Sequence, residues 1–225
     1  MRETAGVAGG KARPAAGGGR WVDVDPERLP AWLNGFAVRH GGYEFTSVDG
    51  SLQLRADDGT LLRLWPPPGA PAADDLEQFV VEAQSERRLG LLLARQASVA
   101  VGIAQGTGLV ASKVETFYVQ SRTAAGGWSQ QRYARRRSNQ ARAAAEGAAD
   151  VTVRLLLAEL DHLDALVTGG DRRTVDAILA DPRLDRARQL RAERFLAVRE
   201  PRHKVLEEAA VLARQVRILI HETVG

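Results

Sequence analysis

The sequence predicts an α/β protein: a mixed β-sheet flanked by helices, preceded by a small N-terminal helix-and-hairpin unit. Three observations predict it. Two apolar runs, residues 89–94 and 99–104, follow one another closely and read as adjacent strands of a buried sheet. Along the rest of the chain, apolar residues switch between alternation and helical spacing. The 225 residues, 44% hydrophobic and 26% charged, suffice for a sizeable core in one large domain or two small ones.

Composition excludes several chemistries. Cysteine is absent, so there is no disulfide, no cysteine-type zinc site and no thiol nucleophile. No apolar run approaches the ~20 residues of a membrane span, and the Gly/Ala-rich start lacks the apolar stretch of a secretory signal. A cytoplasmic protein without a membrane partner is the default expectation.

Residues 1–20 carry Arg2, Lys11, Arg13 and Arg20 without apolar periodicity, and read as a disordered basic tail. Residues 21–73 read as the small α/β unit and its linker. Asp25-Pro26-Glu27 is a helix start, with Asp25 as cap and Leu29, Trp32, Leu33 and Phe36 at helical spacing behind it. Strands follow at 43–48, 52–55 and 61–65, separated by Asp49-Gly50 and Asp58-Gly59 as hairpin turns. Pro66-Pro67-Pro68 ends the unit, and 69–73 reads as a linker.

The remaining residues, 74–225, read as the second domain. A helix over 74–88 opens at Asp74-Asp75 and aligns Leu76, Phe79, Val80 and Ala83 on one face. The two apolar strands come next, then a third at 114–120. A loop over 123–129 contains Gly126-Gly127. From Gln130 to about residue 149 the Arg/Ala/Gln composition, free of proline, is helical, and 151–162 continues it. A short strand at 164–168 ends at Gly169-Gly170, and Asp171 caps a helix carrying Val175, Ile178 and Leu179. Residues 195–198 form a short strand. Val205, Leu206, Ala209, Leu212, Ala213, Val216, Leu219 and Ile220 predict a long terminal helix.

Charge is unevenly spread. The net charge is +3, yet residues 121–142 hold six arginines and no acid, leaving −3 for the rest. Such a concentration is the footprint of a nucleic-acid contact or, equally, a solvated helix face. The basic residues other than Lys11, Lys113 and Lys204 are all arginine.

Two apolar strands, a third strand, a Gly-Gly loop and an arginine helix form a specific order over roughly residues 87–200. The order resembles the catalytic middle domain of eukaryotic and archaeal class I release factors. Arg132-Tyr133-Ala134-Arg135-Arg136-Arg137 matches the helix that follows their Gly-Gly-Gln loop. The likeness is closest to the release-factor-like (VLRF-type) peptidyl-tRNA hydrolases of ribosome quality control in their short actinobacterial form. That group keeps a G-x-x-Q spacing, met here by Gly127-Trp128-Ser129-Gln130. In ungapped register the release-factor glutamine falls on Trp128, so Gln130 is the assigned catalytic glutamine and Gln131 its alternate.

The resemblance implies an RNase H-like sheet and hydrolysis of the ester between nascent peptide and tRNA. It implies the ribosomal large subunit, at its peptidyl-transferase region, and peptidyl-tRNA as partners. No cofactor and no metal are expected, and the chain is expected to act as a monomer. A glutamine suits such a reaction because its amide, though unable to ionise, accepts and donates hydrogen bonds. It can place a water, and its backbone N–H can stabilise an oxyanion. Gly126 and Gly127 admit backbone conformations and a close approach to RNA closed to other residues. Arg132, Arg135 and Arg136 recur at i, i+3 and i+4, one helix face for phosphates, with Arg137 beside them and Arg122 across the loop. Trp128 either stacks on a base or folds onto its own domain.

Two rival readings stay open. One is a non-catalytic ribosome- or RNA-binding module using the arginine helix. The other is an RNA nuclease, which needs clustered carboxylates where the third strand offers only Glu115. His40, His162, His203 and His221 lack ligand spacing, and Asp161-His162-Leu163-Asp164 reads as a divalent-ion site or an exposed helix end. No nucleophile elbow or phosphate loop is present.

Overall fold

A computed structural model describes residues 12–96, 98–117 and 129–222, with 129–138 and 141 described in backbone only. It divides into two compact units: Met1–Ser85 with Arg214–Gly225, and Glu86–Ala213. The division differs from the expected boundary after residue 73. A helix at the end of the first segment and the last strand of the chain both belong to the first unit's core.

The first unit is built on six antiparallel strands: β1 (Arg13–Pro14), β2 (Arg20–Val24), β3 (Tyr43–Val48), β4 (Ser51–Ala56), β5 (Leu61–Trp65) and β11 (Val216–His221). They form one sheet in the order β1-β2-β11-β5-β4-β3. Residues 12–20, expected in the tail, fold back instead: Arg13 pairs with Trp21 and Pro14 with Arg20. The β3–β4 turn is the expected one, with Asp49 and Gly50 at φ 47° and 69°, the left-handed pair that matches strand twist.

One face of this sheet is apolar. Val22, Leu52, Leu54, Leu62, Leu64, Val216 and Ile218 are buried against Leu29, Leu33 and Phe36 of α1 (Leu29–His40) and Phe79 and Ala83 of α2 (Leu76–Gln84). Helix α2 is capped as its sequence predicts, Asp75 accepting from the Gln78 N–H at 2.7 Å. Ala73, read as linker, is buried in the same core. Asp25 departs from expectation: no side-chain cap forms there, and its carboxylate accepts from Gln215 Nε2 at 2.8 Å.

The expected long terminal helix is a helix and a strand. Helix α6 (His203–Ala213) stops, and β11 lies between β2 and β5. The segment fits both periods: Val216, Ile218 and Ile220 alternate, while Val216, Leu219 and Ile220 recur helically. A central slot in the sheet selects the alternating one, favouring β-branched residues buried on one side.

The second unit is a five-stranded mixed sheet. Strands β6 (Arg88–Arg95), β9 (Ala165–Gly170) and β10 (Arg191–Leu196) run parallel; β7 (Ser98–Gln105) and β8 (Gly108–Thr116) complete it antiparallel. Their order is β10-β9-β6-β7-β8. Helix α3 (Ser129–Leu156), α4 (Arg172–Leu179) and α5 (Asp185–Gln189) cover one face through Ala148, Val151, Leu156, Val175, Ile178 and Ala187. Helix α6 covers the other through Leu206, Ala209, Ala210 and Ala213. Burial on both faces explains why β6 and β7 read as continuous apolar runs. The third strand begins at Gly108, not residue 114, because the edge strand β8 is mostly exposed and its opening Gly108-Leu109-Val110-Ala111 shows no alternation of apolar and polar residues.

Candidate functional site

Strand β8 leads to Phe117, and helix α3 starts at Ser129. Arg122, Gly126, Gly127 and Trp128 fall between them, outside the described residues. Ser129, expected in the loop, is the first helical residue, so Gln130 and Gln131 belong to the first turn of α3. The backbone N–H groups of a first turn have no intrahelical acceptor. Donors therefore collect at the position that carries the glutamines.

Further along, the helix is seated on the sheet. Ala144, Ala148, Ala149, Val151 and Leu156 are buried, and a Cβ at Gly147 would lie 2.6 Å from Phe117 Cε1. Glycine is required there so that the helix can close on the ring at the end of β8. From Gly147 to Ser129 the helical rise is about 27 Å. The Asp150 carboxylate accepts from Arg183 Nη2 at 2.7 Å, and Arg183 also binds Asp181, whose carboxyl it lowers to about 2. Thr152 Oγ1 donates to the Ala148 carbonyl at 2.7 Å.

The first turn of α3 contains no acid, and residues 129–142 include Arg132, Arg135, Arg136, Arg137 and Arg142. Helix N-termini carry positive partial charge and favour anions. Arginines here oppose the dipole locally and repel one another at i, i+3 and i+4. Their summed field is one that phosphates relieve. Glu146 is the first acid along the helix and pairs with Arg142 at 3.0 Å.

The carboxyl ends of β6, β9 and β10 share the sheet edge from which the chain leaves β8, since Arg95 pairs with Ser98, Ser98 with Thr116, and Ala94 with Gly170. Such edges are where open α/β sheets bind ligands. Three arginines that the sequence alone does not single out lie there. Arg95 Nη1 donates to the Val198 carbonyl at 3.3 Å, Arg172 sits 4.2 Å over the Phe195 ring, and Arg173 lies beside Asp171. The Thr174 N–H and hydroxyl, then the Arg173 and Arg95 charges, lower the Asp171 carboxyl below its usual range. Asp171 also caps α4 as expected, accepting from the Thr174 N–H at 2.8 Å. The one signal in the sequence that points to these arginines is their place at the ends of the parallel strands.

The weaker candidates are engaged structurally. Asp161 pairs with Arg186, and Asp164 accepts from the Arg88 N–H at 2.7 Å, so the Asp161 and Asp164 carboxylates already have partners. His40 binds Asp58 at 2.8 Å and stacks on Phe36, while His203 lies 3.5 Å from Glu207. Among the described residues no group of three His, Asp or Glu is placed to hold a metal ion. No helix there is long and apolar enough to cross a membrane.

The model of the Actinobacteria/chloroflexi VLRF1 release factor family matches residues 87–219. The chain belongs to that family. The match takes in the whole basic half of α3 and residues 118–128 before it, and makes this a release-factor-like translation protein. No curated protein matches the chain. Among solved structures, it is similar to an archaeal translation termination factor, at 17% identity and a TM-score of 0.40, over 71% of this chain and 48% of that one. A second archaeal protein is similar at 13% identity and a TM-score of 0.35, over 71% of this chain and 52% of that one. The chain thus spans about half the length of each.

Proposed function

We propose that the protein is a peptidyl-tRNA hydrolase that releases nascent chains from stalled ribosomes or large subunits. The family match across residues 87–219 is the observation that carries the reading. The ester linking peptide to tRNA is already activated. Its hydrolysis needs a placed water and a stabilised oxyanion more than it needs a Lewis acid or a strong nucleophile. Gln130 supplies the amide that orients the water, with Gln131 as the alternate, and Gly127 lets the backbone approach the substrate. First-turn N–H groups of α3 offer donors to the developing oxyanion. As the acyl carbon–ribose oxygen bond breaks, the attacking water's proton passes, through the neighbouring ribose hydroxyl or a second water, to the ribose oxygen that leaves.

Arg132, Arg135, Arg136 and Arg137, with Arg122, hold RNA phosphates and position the reacting end without reading sequence. The protein works in the cytoplasm as a monomer, without cofactor or metal, at the peptidyl-transferase region of the large subunit. The test is incubation of the full chain with a purified ribosomal complex carrying peptidyl-tRNA. Free peptide with intact tRNA is the expected result. Binding without cleavage makes it a non-catalytic ribosome-binding module, and cut RNA makes it a nuclease.

A further inference from the structure

The six-stranded sheet of the first unit packs its apolar face on α1 and α2; its opposite face carries a different composition. Register puts Trp21 on β2 beside Leu219 on β11, and Arg217 on β11 beside Trp65 on β5. The two indole rings lie 5.2 Å apart at 47°. Arg63 sits 4.9 Å over Trp65 and Arg217 5.3 Å over Trp21. Both tryptophans are only half-buried, and the next strand adds the exposed Arg55. None of these side chains belongs to the core on the helix side.

We propose that this open face is a platform for single-stranded RNA, separate from the loop and helix of the second unit. Arginine outnumbers acid on the face: Arg13, Arg55, Arg63 and Arg217 stand against Asp23, Glu44 and Asp49, with Asp23 pairing with Arg13 and Arg217, and Asp49 3.8 Å from Arg63. All four cations are arginine, the side chain that binds phosphate through a planar fork and stacks on rings. Rings set among strands meet the flat faces of unpaired bases, whereas bases in a duplex are stacked on each other and out of reach. Bases stack on the indoles while the flanking guanidiniums hold phosphates, so recognition is tolerant of sequence.

The experiment is anisotropy of a labelled ten-uridine RNA on the full chain carrying Arg132→Ala, Arg135→Ala and Arg136→Ala, which removes the contact proposed above. Adding Trp21→Leu with Trp65→Leu is expected to weaken binding tenfold or more, as loss of base stacking does, while Trp21→Phe with Trp65→Phe retains most of it. Arg55→Glu, an exposed change whose folding circular dichroism also checks, should weaken binding and flatten the salt dependence by about one contact. It keeps the test decisive if the leucine pair does not fold, which circular dichroism reports. A duplex of equal length should bind more weakly. Unchanged affinity and slope in Arg55→Glu overturns the proposal, as does equal binding of the duplex. So does a leucine pair that turns a dimer into a monomer by light scattering with RNA binding unchanged, which marks the face as a contact between copies.

Discussion

The two halves of helix α3 follow opposite rules. From Ala144 onward its buried positions are alanine, valine and leucine, with Thr152 bonded to the Ala148 carbonyl and Gly147 closing on Phe117. From Ser129 to Arg142 it has five arginines and no acid, beginning at the end where the helix dipole disfavours cations. Packing selects the first composition. Helix propensity admits arginine in the second, but the dipole opposes it at this end, and departures of this kind from local consistency concentrate at functional sites. One helix therefore joins an anchor to a charged tip, and substitutions in the two halves should separate cleanly into losses of stability and losses of function.

The largest effect is expected at the tip. Gln130→Ala should lower peptidyl-tRNA hydrolysis by about 10²–10³, the loss that follows removal of one oxyanion or positioning contact, with melting temperature and ribosome binding unchanged. Single-turnover release of labelled peptide measures it. Full activity in Gln130→Ala beside an inactive Gln131→Ala moves the assignment by one residue. On the proposed function, in which Gly127 lets the backbone approach the substrate, Gly127→Val should also slow turnover with little change in melting temperature. A large fall in melting temperature would make Gly127 a structural turn.

Binding comes next. Each phosphate contact contributes about −0.7 to −0.9 to the slope of log K against log salt. Replacing Arg132, Arg135 and Arg136 by alanine should weaken ribosome binding and flatten that slope by about two to three units. Cleavage at saturating protein should fall far less than in Gln130→Ala. An unchanged slope would mean the arginines are merely solvated, and the comparison between the two halves would lose its functional side.

The anchor should respond in the opposite way. Gly147→Ala puts a methyl 2.6 Å from the Phe117 ring, and overpacking of this kind costs about 1–3 kcal/mol. Thermal unfolding should show the loss. Phe117→Ala in the same chain should restore part of it, giving a coupling between the two sites that separate single changes do not. Additive losses would mean that the helix is seated elsewhere.

How much of this the sequence reveals depends on burial. Residues 89–94 and 99–104 are legible because both faces are covered, and Asp49-Gly50 because a two-residue turn leaves little choice. Strand β8 starts earlier than its sequence suggests because its exposed edge position leaves its first half without a pattern. The 216–221 segment reads as helix because its apolar residues fit two periods, and only its neighbours β2 and β5 decide between them. The boundary after residue 73 fails for a related reason: what Phe79 packs against is not written near Phe79. The arginine-rich start of α3 is legible as charge, since charge needs no partner to be seen. Arg95, Arg172 and Arg173 are not, because they gather only when three strands end at one edge.

The smallest predicted effect tests the conflict at the tip itself. Arg132 stands at the end of the first turn and lies three and four residues before Arg135 and Arg136. It opposes the dipole and makes two like-charge pairs, each worth a few tenths of a kcal/mol at low salt. Arg132→Ala should therefore stabilise the helix start by about 0.5–1 kcal/mol, seen as a roughly two- to fivefold gain in amide-exchange protection over residues 133–140. Because the origin is electrostatic, the gain should shrink at high salt, where the Debye length falls to about 3 Å at 1 M. A salt-independent gain would trace to alanine's helix propensity alone. A loss of protection would show that Arg132 contributes to folding, and that the two halves of α3 are less different than their compositions suggest.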